Sequence, residues 1–168
     1  MTPEEIHQKI RLVPYEAGFC ILGIKQLCKW ASELPNGITI FESGTSYGRS
    51  AFTWALATGG HITTVEPQDT QDLVLLFAKK FGLDGRVDAI GGCSDKMSWD
   101  KEFDVVWLDG NHNYEVVKKE LEIYDPLAKL MICGHDYGHR DLPGVKKAVD
   151  EFYGGRVMAA DNFWRVWK

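Results

Sequence analysis

Long apolar runs and an excess of basic charge are both missing from this sequence. No stretch approaches the roughly 18 apolar residues of a membrane-spanning helix, and residues 1–11 are too polar and acidic for a signal peptide. Lys and Arg total 19 against 24 Asp and Glu, so the net charge is -5. Broad binding to nucleic acid or to an anionic membrane needs a basic surface. We therefore expect a cytoplasmic protein with neither kind of partner.

Paired cysteines are missing as well. The four cysteines include no CxxC pair and no Cys/His ladder with zinc-finger spacing. Cys20 and Cys28 are eight residues apart, which is about two turns of one helix, so core packing is the expected role. The cysteine pattern favours a reducing compartment.

Predicted strands alternate with predicted helices, and no repeat or low-complexity tract interrupts them. At 168 residues the chain has the size of one domain, spanning 1–168. An apolar helical stripe runs from Ala17 to Ala31 and stops at the turn of residues 35–37. The predicted helices cover 16–32, 48–57, 69–81, 113–124 and 143–152, and the predicted strands cover 38–41, 61–65, 86–90, 103–108, 127–133, 156–158 and 163–167, the last two as a hairpin.

Such alternation predicts an α/β fold built on a mostly parallel sheet. Ligands of these sheets bind beyond the carboxyl ends of the strands, where the strand order reverses. Acidic and polar side chains should therefore collect at strand ends. The sequence has such residues at Glu42, Glu66, Asp109 and the pair His135-Asp136.

A loop with two glycines follows the first predicted strand. Gly44 lets the backbone approach a ligand closely, and the free N–H groups of the helix after Gly48 can hold a carboxylate or phosphate. A tight strand-to-helix turn without a ligand is the alternative. Glu66, 22 residues beyond Gly44, can accept both hydroxyls of a ribose, as in several nucleoside cofactors.

The motifs at the strand ends resemble those of class I S-adenosylmethionine-dependent methyltransferases across residues 38–152. The branch is similar to the macrocin and catechol O-methyltransferases. The resemblance implies a three-layer Rossmann-like fold with a seven-stranded, mostly parallel sheet that ends in a C-terminal β-hairpin. The motifs that carry it are, in order, Glu42-Ser43-Gly44, Asp109-Gly110-Asn111-His112-Asn113-Tyr114-Glu115, His135-Asp136-Tyr137 and Pro143-Gly144-Val145.

The resemblance also implies roles for residues that would bind S-adenosylmethionine. Glu42 and Gly44 would face its methionine end, and the N–H groups near Gly48 would lie beside its carboxylate. Glu66 would accept the ribose hydroxyls. The remaining implied cofactor residues are Ser46 in the first loop, Cys93 and Ser94 along the adenine, and Asp109 near the sulfonium and the acceptor.

Some relatives bind a divalent cation after strands four and five, where this chain has Asp109, His135 and Asp136. Oxygen ligands suit magnesium, whereas a histidine favours manganese, iron or zinc. The alternative is that His135 and Asp136 only cap the fifth strand. His112 is a candidate general base, since its unperturbed pKa is near 6.5, or it fixes the loop.

The chain departs from the family pattern at three places. Ser46 replaces the middle glycine of the first loop, and Cys93 stands where an acid commonly follows strand three. Residues 127–132 run through the position of the Pro-Gly-Gly turn that relatives carry before strand five, so we expect a rebuilt connection there.

We expect a methyltransferase that acts on a small molecule, with a hydroxyl as the acceptor and Asp109 and His112 in the catalytic machinery. A homo-oligomer is possible. One alternative is a non-catalytic cofactor-binding or interaction protein with this fold. A nicotinamide dehydrogenase would need GxGxxG in the first loop, which the sequence lacks, and nucleic-acid modification would need a basic groove.

Overall fold

The computed structural model describes residues 1–14 and 20–168. The helices are α1 Pro3–Lys9, α2 Ile21–Ala31, α3 Arg49–Thr58, α4 Gln71–Lys80, α5 Tyr114–Tyr124 and α6 Pro143–Tyr153, and the strands are β1 Thr39–Ser43, β2 His61–Glu66, β3 Val87–Gly91, β4 Phe103–Leu108, β5 Ala128–Gly134, β6 Met158–Ala160 and β7 Phe163–Trp167.

The strands form one seven-stranded sheet in the order β3-β2-β1-β4-β5-β7-β6. Strands β1 to β5 pair in parallel, while β7 is antiparallel to both β5 and β6. The strand order reverses between β1 and β4, so the carboxyl ends of these two strands form the switch point. The predicted Rossmann-like fold with a C-terminal hairpin is confirmed.

Two cores cover the two faces of the sheet. Successive strand residues point to opposite faces, so Ile40 packs with helices α1 to α4 and Phe41 packs with α5 and α6. The same alternation places Trp107 in the first core and Val106 in the second. The chain therefore has three layers, and the apolar run predicted for β4 reflects a strand buried on both sides.

Several predicted boundaries change in the structure. Helix α2 starts at Ile21 rather than at 16, and the predicted part from 16 to 19 lies outside the described residues. Strand β1 continues past Phe41 to Ser43, so Glu42 lies within the strand. Strand β6 begins at Met158 because a 3₁₀ turn over Gly154–Arg156 occupies the predicted start of the hairpin.

Helix α1 is an element that the sequence patterns left unassigned. Thr2 and Glu5 form a capping box, in which the Thr2 hydroxyl accepts from the Glu5 N–H and the Glu5 carboxylate accepts from the Thr2 N–H. Pro3 occupies the first turn, where its missing N–H costs nothing. The local signal was present, but the helix is only seven residues long.

A 3₁₀ helix over Asp125–Leu127 replaces the Pro-Gly-Gly turn before β5. It passes directly into the strand, and the pairing of β4 with β5 shifts register between Phe103 and Val105. Asp125 anchors the connection, since its Oδ1 accepts from Tyr153 at 2.6 Å and from the Lys168 ammonium at 2.7 Å. The 3₁₀ helix is therefore the rebuilt connection that the sequence predicts before β5.

Among residues 1–14 and 20–168, no helix has the length and apolar character needed to cross a bilayer.

Candidate active site

A cavity of about 680 Å³ opens at the carboxyl ends of β1, β2, β3, β4 and β5. Its volume falls within the roughly 300–1,000 Å³ of small-molecule sites. It lies over the switch point, as the topology predicts. Its lining comes from residues 43–47, 49–50, 65–68, 93–95, 109–112 and 135–136, together with Pro14, Val116, His139, Leu142 and Asn162.

The loop after β1 is tightly folded against the end of β4. Gly44 has φ of +88°, and a Cβ built on it would lie 2.2 Å from the carbonyl oxygen of Asp109. A larger residue cannot occupy that space without moving the backbone. Ser46 has φ of 47°, the left-handed region in which glycine is usual, which explains how the loop keeps its shape without the middle glycine.

Glu66 ends β2 and holds the same loop from the other side. Its Oε2 accepts from the Ser46 N–H at 2.8 Å, and its Oε1 accepts from the Gln68 N–H at 3.1 Å. A carboxylate that accepts two backbone N–H groups is fixed in orientation and still has free lone pairs. It borders the cavity with those lone pairs available to ligand hydroxyls.

Glu42 lies behind the wall of the cavity, and its side chain is fully buried. It accepts hydrogen bonds from the hydroxyls of Ser50 and, at 2.5 Å, Thr64. Burial raises the pKa of Glu42 to about 8, although these two hydrogen bonds act to lower it. The acid predicted to face the methionine end is therefore hydrogen-bonded to the first turn of α3 and to β2 and does not border the cavity, and Gly48 is buried as well.

Two carboxylates and two imidazoles meet beyond the carboxyl ends of β4 and β5. His112 Nε2 is 2.8 Å from Asp136 Oδ2, and His135 Nδ1 is 3.3 Å from the same oxygen. His135 Nδ1 also lies 3.6 Å from Asp109 Oδ1. The four residues come from the loops after β4 and β5, which the parallel pairing of these strands brings together.

The charges within this cluster compensate each other. The Asp136 carboxylate beside it raises the pKa of His112. Burial acts to lower the pKa of His135, but hydrogen bonds to Asp109 and Asp136 raise it to about 10. Burial would also raise the pKa of Asp136, yet its hydrogen bonds to His112 and His135 hold it below its ordinary value. Burial raises the pKa of Asp109.

Helix α6 fixes the position of the His112 loop. A Cβ built on Gly144 would lie 2.6 Å from the carbonyl oxygen of His112 and 2.7 Å from the backbone nitrogen of Tyr114. The first turn of α6 can therefore touch this loop only because residue 144 has no side chain. The Pro143-Gly144-Val145 motif has a structural explanation in this contact.

Comparison with known families adds independent information. Residues 41–137, more than half of the chain, match the family model described as "Methyltransferase domain". The matched range contains the first loop, Glu66, Asp109 and the pair His135-Asp136. The chain belongs to the methyltransferase-domain family. No curated protein sequence matches it significantly.

Solved structures of methyltransferases share the fold. A putative caffeoyl-CoA O-methyltransferase from Staphylococcus aureus superposes with a TM-score of 0.71 at 19% identity, covering 99% of this chain and 91% of that one. An O-methyltransferase from Bacillus cereus in complex with SAH has a TM-score of 0.69 at 17% identity, covering 99% and 90%. A SAM-dependent O-methyltransferase from Thermotoga maritima has a TM-score of 0.72 at 14% identity, covering 96% and 69%.

At these identities the likeness establishes the fold, and the family match establishes the class of enzyme. The protein is an S-adenosylmethionine-dependent methyltransferase, as the motifs predicted. Most of the methyltransferase's predicted site residues border one cavity, namely Gly44, Ser46, Glu66, Cys93, Ser94, Asp109, His112, His135 and Asp136. Glu42 and Gly48 lie behind its wall.

Sequence reasoning missed Ser43 and Glu120 in this methyltransferase. Ser43 borders the cavity and donates a hydrogen bond of 2.5 Å to Glu120, which lies on α5 and is almost fully buried. The sequence contained a signal for Glu120, because this acid lies on the same face of α5 as the apolar residues Val117 and Leu121, where a charged side chain is unusual.

Proposed function

We propose that the methyltransferase moves the methyl group of S-adenosylmethionine to a hydroxyl oxygen of a small molecule. The observation that supports this most directly is the His112–Asp136 contact of 2.8 Å beside Asp109, at the end of the cavity away from Glu66. A hydroxyl group needs its proton removed as it attacks, and an imidazole oriented by a carboxylate is suited to that task.

The cofactor would lie along the loop after β1. Glu66 would accept the ribose hydroxyls, while Cys93 and Ser94 would lie along the adenine, since all three border the cavity on its β2–β3 side. The N–H groups at the start of α3 would lie beside the methionine carboxylate, where the helix dipole favours negative charge. Glu42 would hold this loop in place through Ser50 and Thr64.

The chemistry would then be a single displacement. The acceptor oxygen forms a bond to the methyl carbon as the bond from that carbon to sulfur breaks, and the electron pair stays on sulfur. The hydroxyl proton passes to His112, whose other nitrogen is held by Asp136. Asp109 would lie near the sulfonium and the acceptor, and alignment of the reactants supplies much of the acceleration.

A divalent cation is a second candidate for activating the hydroxyl, and the donor set fits one. Asp109, His112 and Asp136 each offer a ligand atom, and these atoms lie within 4.8 Å of one another. This group has His112 where the sequence predicted His135, whose Nδ1 lies 3.6 Å from Asp109 Oδ1 and 3.3 Å from Asp136 Oδ2. A bound cation would act as a Lewis acid toward the acceptor oxygen, and an imidazole among the ligands favours manganese, iron or zinc.

The test is turnover with methyl-labelled S-adenosylmethionine and a panel of catechols, phenols, sugars and amines. We expect S-adenosylhomocysteine to form together with a product whose new methyl group is bonded to oxygen, identified by its NMR shift. Asp109→Asn should abolish turnover while the circular dichroism spectrum stays unchanged. A product methylated at nitrogen or carbon would contradict the proposal.

Chelation separates the two ways of activating the hydroxyl. If His112 acts alone as the base, turnover should survive dialysis against EDTA. If a cation takes part, EDTA should abolish turnover, manganese should restore it, and Asp136→Asn should prevent the restoration.

A further inference from the structure

Glu120 on α5 is a buried acid to which the proposed function gives no task. Its side chain is only 1% exposed. Its Oε1 accepts a hydrogen bond of 2.5 Å from the Ser43 hydroxyl and another from the Ser94 hydroxyl. The two serine oxygens are themselves 2.9 Å apart. One carboxylate oxygen thus joins a residue after β3 to the last residue of β1.

A buried carboxylate costs free energy even when it is hydrogen-bonded. Burial raises the pKa of Glu120, while the bonds to Ser43 and Ser94 act in the opposite direction. An apolar residue at this position of α5 would avoid that free-energy cost, because Val117 and Leu121 on the same helix belong to the hydrophobic core. The arrangement therefore points to a role for the two hydroxyl groups that Glu120 holds.

The direction of the hydroxyl hydrogens follows from simple counting. A serine hydroxyl has one hydrogen to donate and two lone pairs that accept. Each serine oxygen lies closer to Glu120 Oε1 than to the other serine oxygen, so Ser43 and Ser94 both direct their hydrogen to Glu120. Ser94 also borders the cavity. With its hydrogen directed to Glu120, the Ser94 hydroxyl can accept a hydrogen bond from a ligand but has no hydrogen left to donate.

The segment that carries Ser94 is held in this position by further contacts with α5. The Tyr124 hydroxyl donates to the Ser94 carbonyl oxygen at 2.9 Å. The Lys119 ammonium lies 3.9 Å from Asp95. The backbone and the side chain of Ser94 are therefore both held in place. A hydroxyl fixed in this way can discriminate between a ligand group that donates a hydrogen bond and one that accepts it.

We propose that Glu120 is a positioning residue that determines which nucleobase the cavity accepts. By taking the Ser94 hydrogen, it makes Ser94 an acceptor toward the base, so a purine with an exocyclic amino group binds better than one with a carbonyl in its place. This rests on the proposed function, which puts the adenine beside Ser94. The preference comes from the polarity of the hydrogen bond, since an unmatched buried acceptor is costly.

The experiment compares the binding of S-adenosylhomocysteine and S-inosylhomocysteine by calorimetry. The inosine compound carries a carbonyl oxygen in place of the amino group. We expect the wild-type protein to bind the adenosine compound at least tenfold more tightly. Ser94→Ala removes the acceptor, and Glu120→Met releases both serine hydrogens at similar side-chain volume, so each should reduce this preference about fivefold or more.

Glu122→Met is the matched control, because Glu122 is an exposed acid on the same helix. It should leave the preference at the wild-type value. If Ser94→Ala keeps the full preference, or if the wild-type protein binds both compounds equally, the proposal is wrong while the proposed function stands. If the wild-type protein binds neither compound, the proposed function itself fails. If Glu120→Met keeps the full preference, the proposal is wrong as well, and Glu120→Leu takes the place of that variant should it not fold.

Discussion

At the scale of single residues, two acids at strand ends have opposite environments. Glu66 keeps two backbone N–H partners at the edge of the cavity, whereas Glu42 is enclosed by Ser50 and Thr64. The first borders the cavity, where a ligand can reach it, and the second holds a proton more tightly than an ordinary glutamate does. Glu66 is therefore tested by ligand binding, and Glu42 by the pH dependence of stability.

Replacing Glu66 tests the placement of the ribose. We expect Glu66→Ala to weaken the binding of S-adenosylhomocysteine about tenfold or more, because charge-assisted hydrogen bonds contribute roughly 1.5–3 kcal/mol. Calorimetric titration measures the effect. Glu122→Gln, an exposed acid far from the loop in sequence, is the control and should bind normally. Normal binding by Glu66→Ala would mean that the nucleoside lies elsewhere.

Glu42 should make the stability of the protein depend on pH. Its pKa is raised from 4.5 to about 8 in the folded state, so between these values the folded chain keeps a proton that the unfolded chain loses. The stabilisation is complete below pH 4.5 and is lost as the pH rises through 8. Over the whole of this pH range we expect the loss to be on the order of 5 kcal/mol.

Urea denaturation at pH 5 and pH 8 measures this dependence. The free energy of unfolding of the wild-type protein should fall more steeply with pH than that of Glu42→Gln, which cannot ionise. Glu122→Gln makes the same charge change at an exposed position and should keep the wild-type slope. Parallel pH dependences for the wild type and Glu42→Gln would show that Glu42 is ionised in the folded protein.

At the scale of elements, contacts between loops position the site. The loop after β1 rests on the end of β4 through Gly44, and the first turn of α6 rests on the loop after β4 through Gly144. Three separate stretches of chain thus fix one another at the cavity, and no single helix or strand defines it. A methyl group added at either glycine would force backbone against backbone.

Gly44→Ala measures how much the close approach of Gly44 to the Asp109 carbonyl contributes to stability. Gly85→Ala is its matched control. Both glycines have positive φ, +88° and +69°, so both substitutions carry the same conformational cost of about 1 kcal/mol. Only at residue 44 does the new Cβ meet the Asp109 carbonyl, since nothing lies within 4 Å of residue 85. Gly44→Ala should lose at least about 2 kcal/mol more stability in urea denaturation. Equal losses would mean that the loop has room to move.

At the scale of the whole molecule, the cavity joins the two layers of helices. Its wall uses the loops that lead into α3 and α5, and these helices pack on opposite faces of the sheet. A ligand that bridges the ends of five strands should stabilise the entire fold and not one element alone.

Thermal unfolding tests this coupling. At a free S-adenosylhomocysteine concentration of about 100 times its dissociation constant, binding contributes roughly 2.7 kcal/mol. For a chain of this size the midpoint should rise by about 5–10 °C in one cooperative transition. Adenine alone at equal concentration is the control and should raise it less. Two separate transitions, with only one shifted, would show that the ligand stabilises part of the molecule.

The amino-acid sequence by itself determined the order of helices and strands, the parallel sheet and the residues at the strand ends. These features depend on local periodicity and on turn residues, which neighbouring positions in the chain encode. The same strand-end motifs indicated the family, and the match over 41–137 confirmed it.

Only the tertiary structure decided how the side chains at these ends are used. The burial of Glu42, the meeting of Glu120 with Ser43 and Ser94, and the approach of His112 to Asp136 join segments up to 77 residues apart. Such contacts depend on how helices pack against the sheet, and neither spacing nor composition encodes them locally. Burial and hydrogen bonding in turn set the proton affinity of each acid, and so its chemistry.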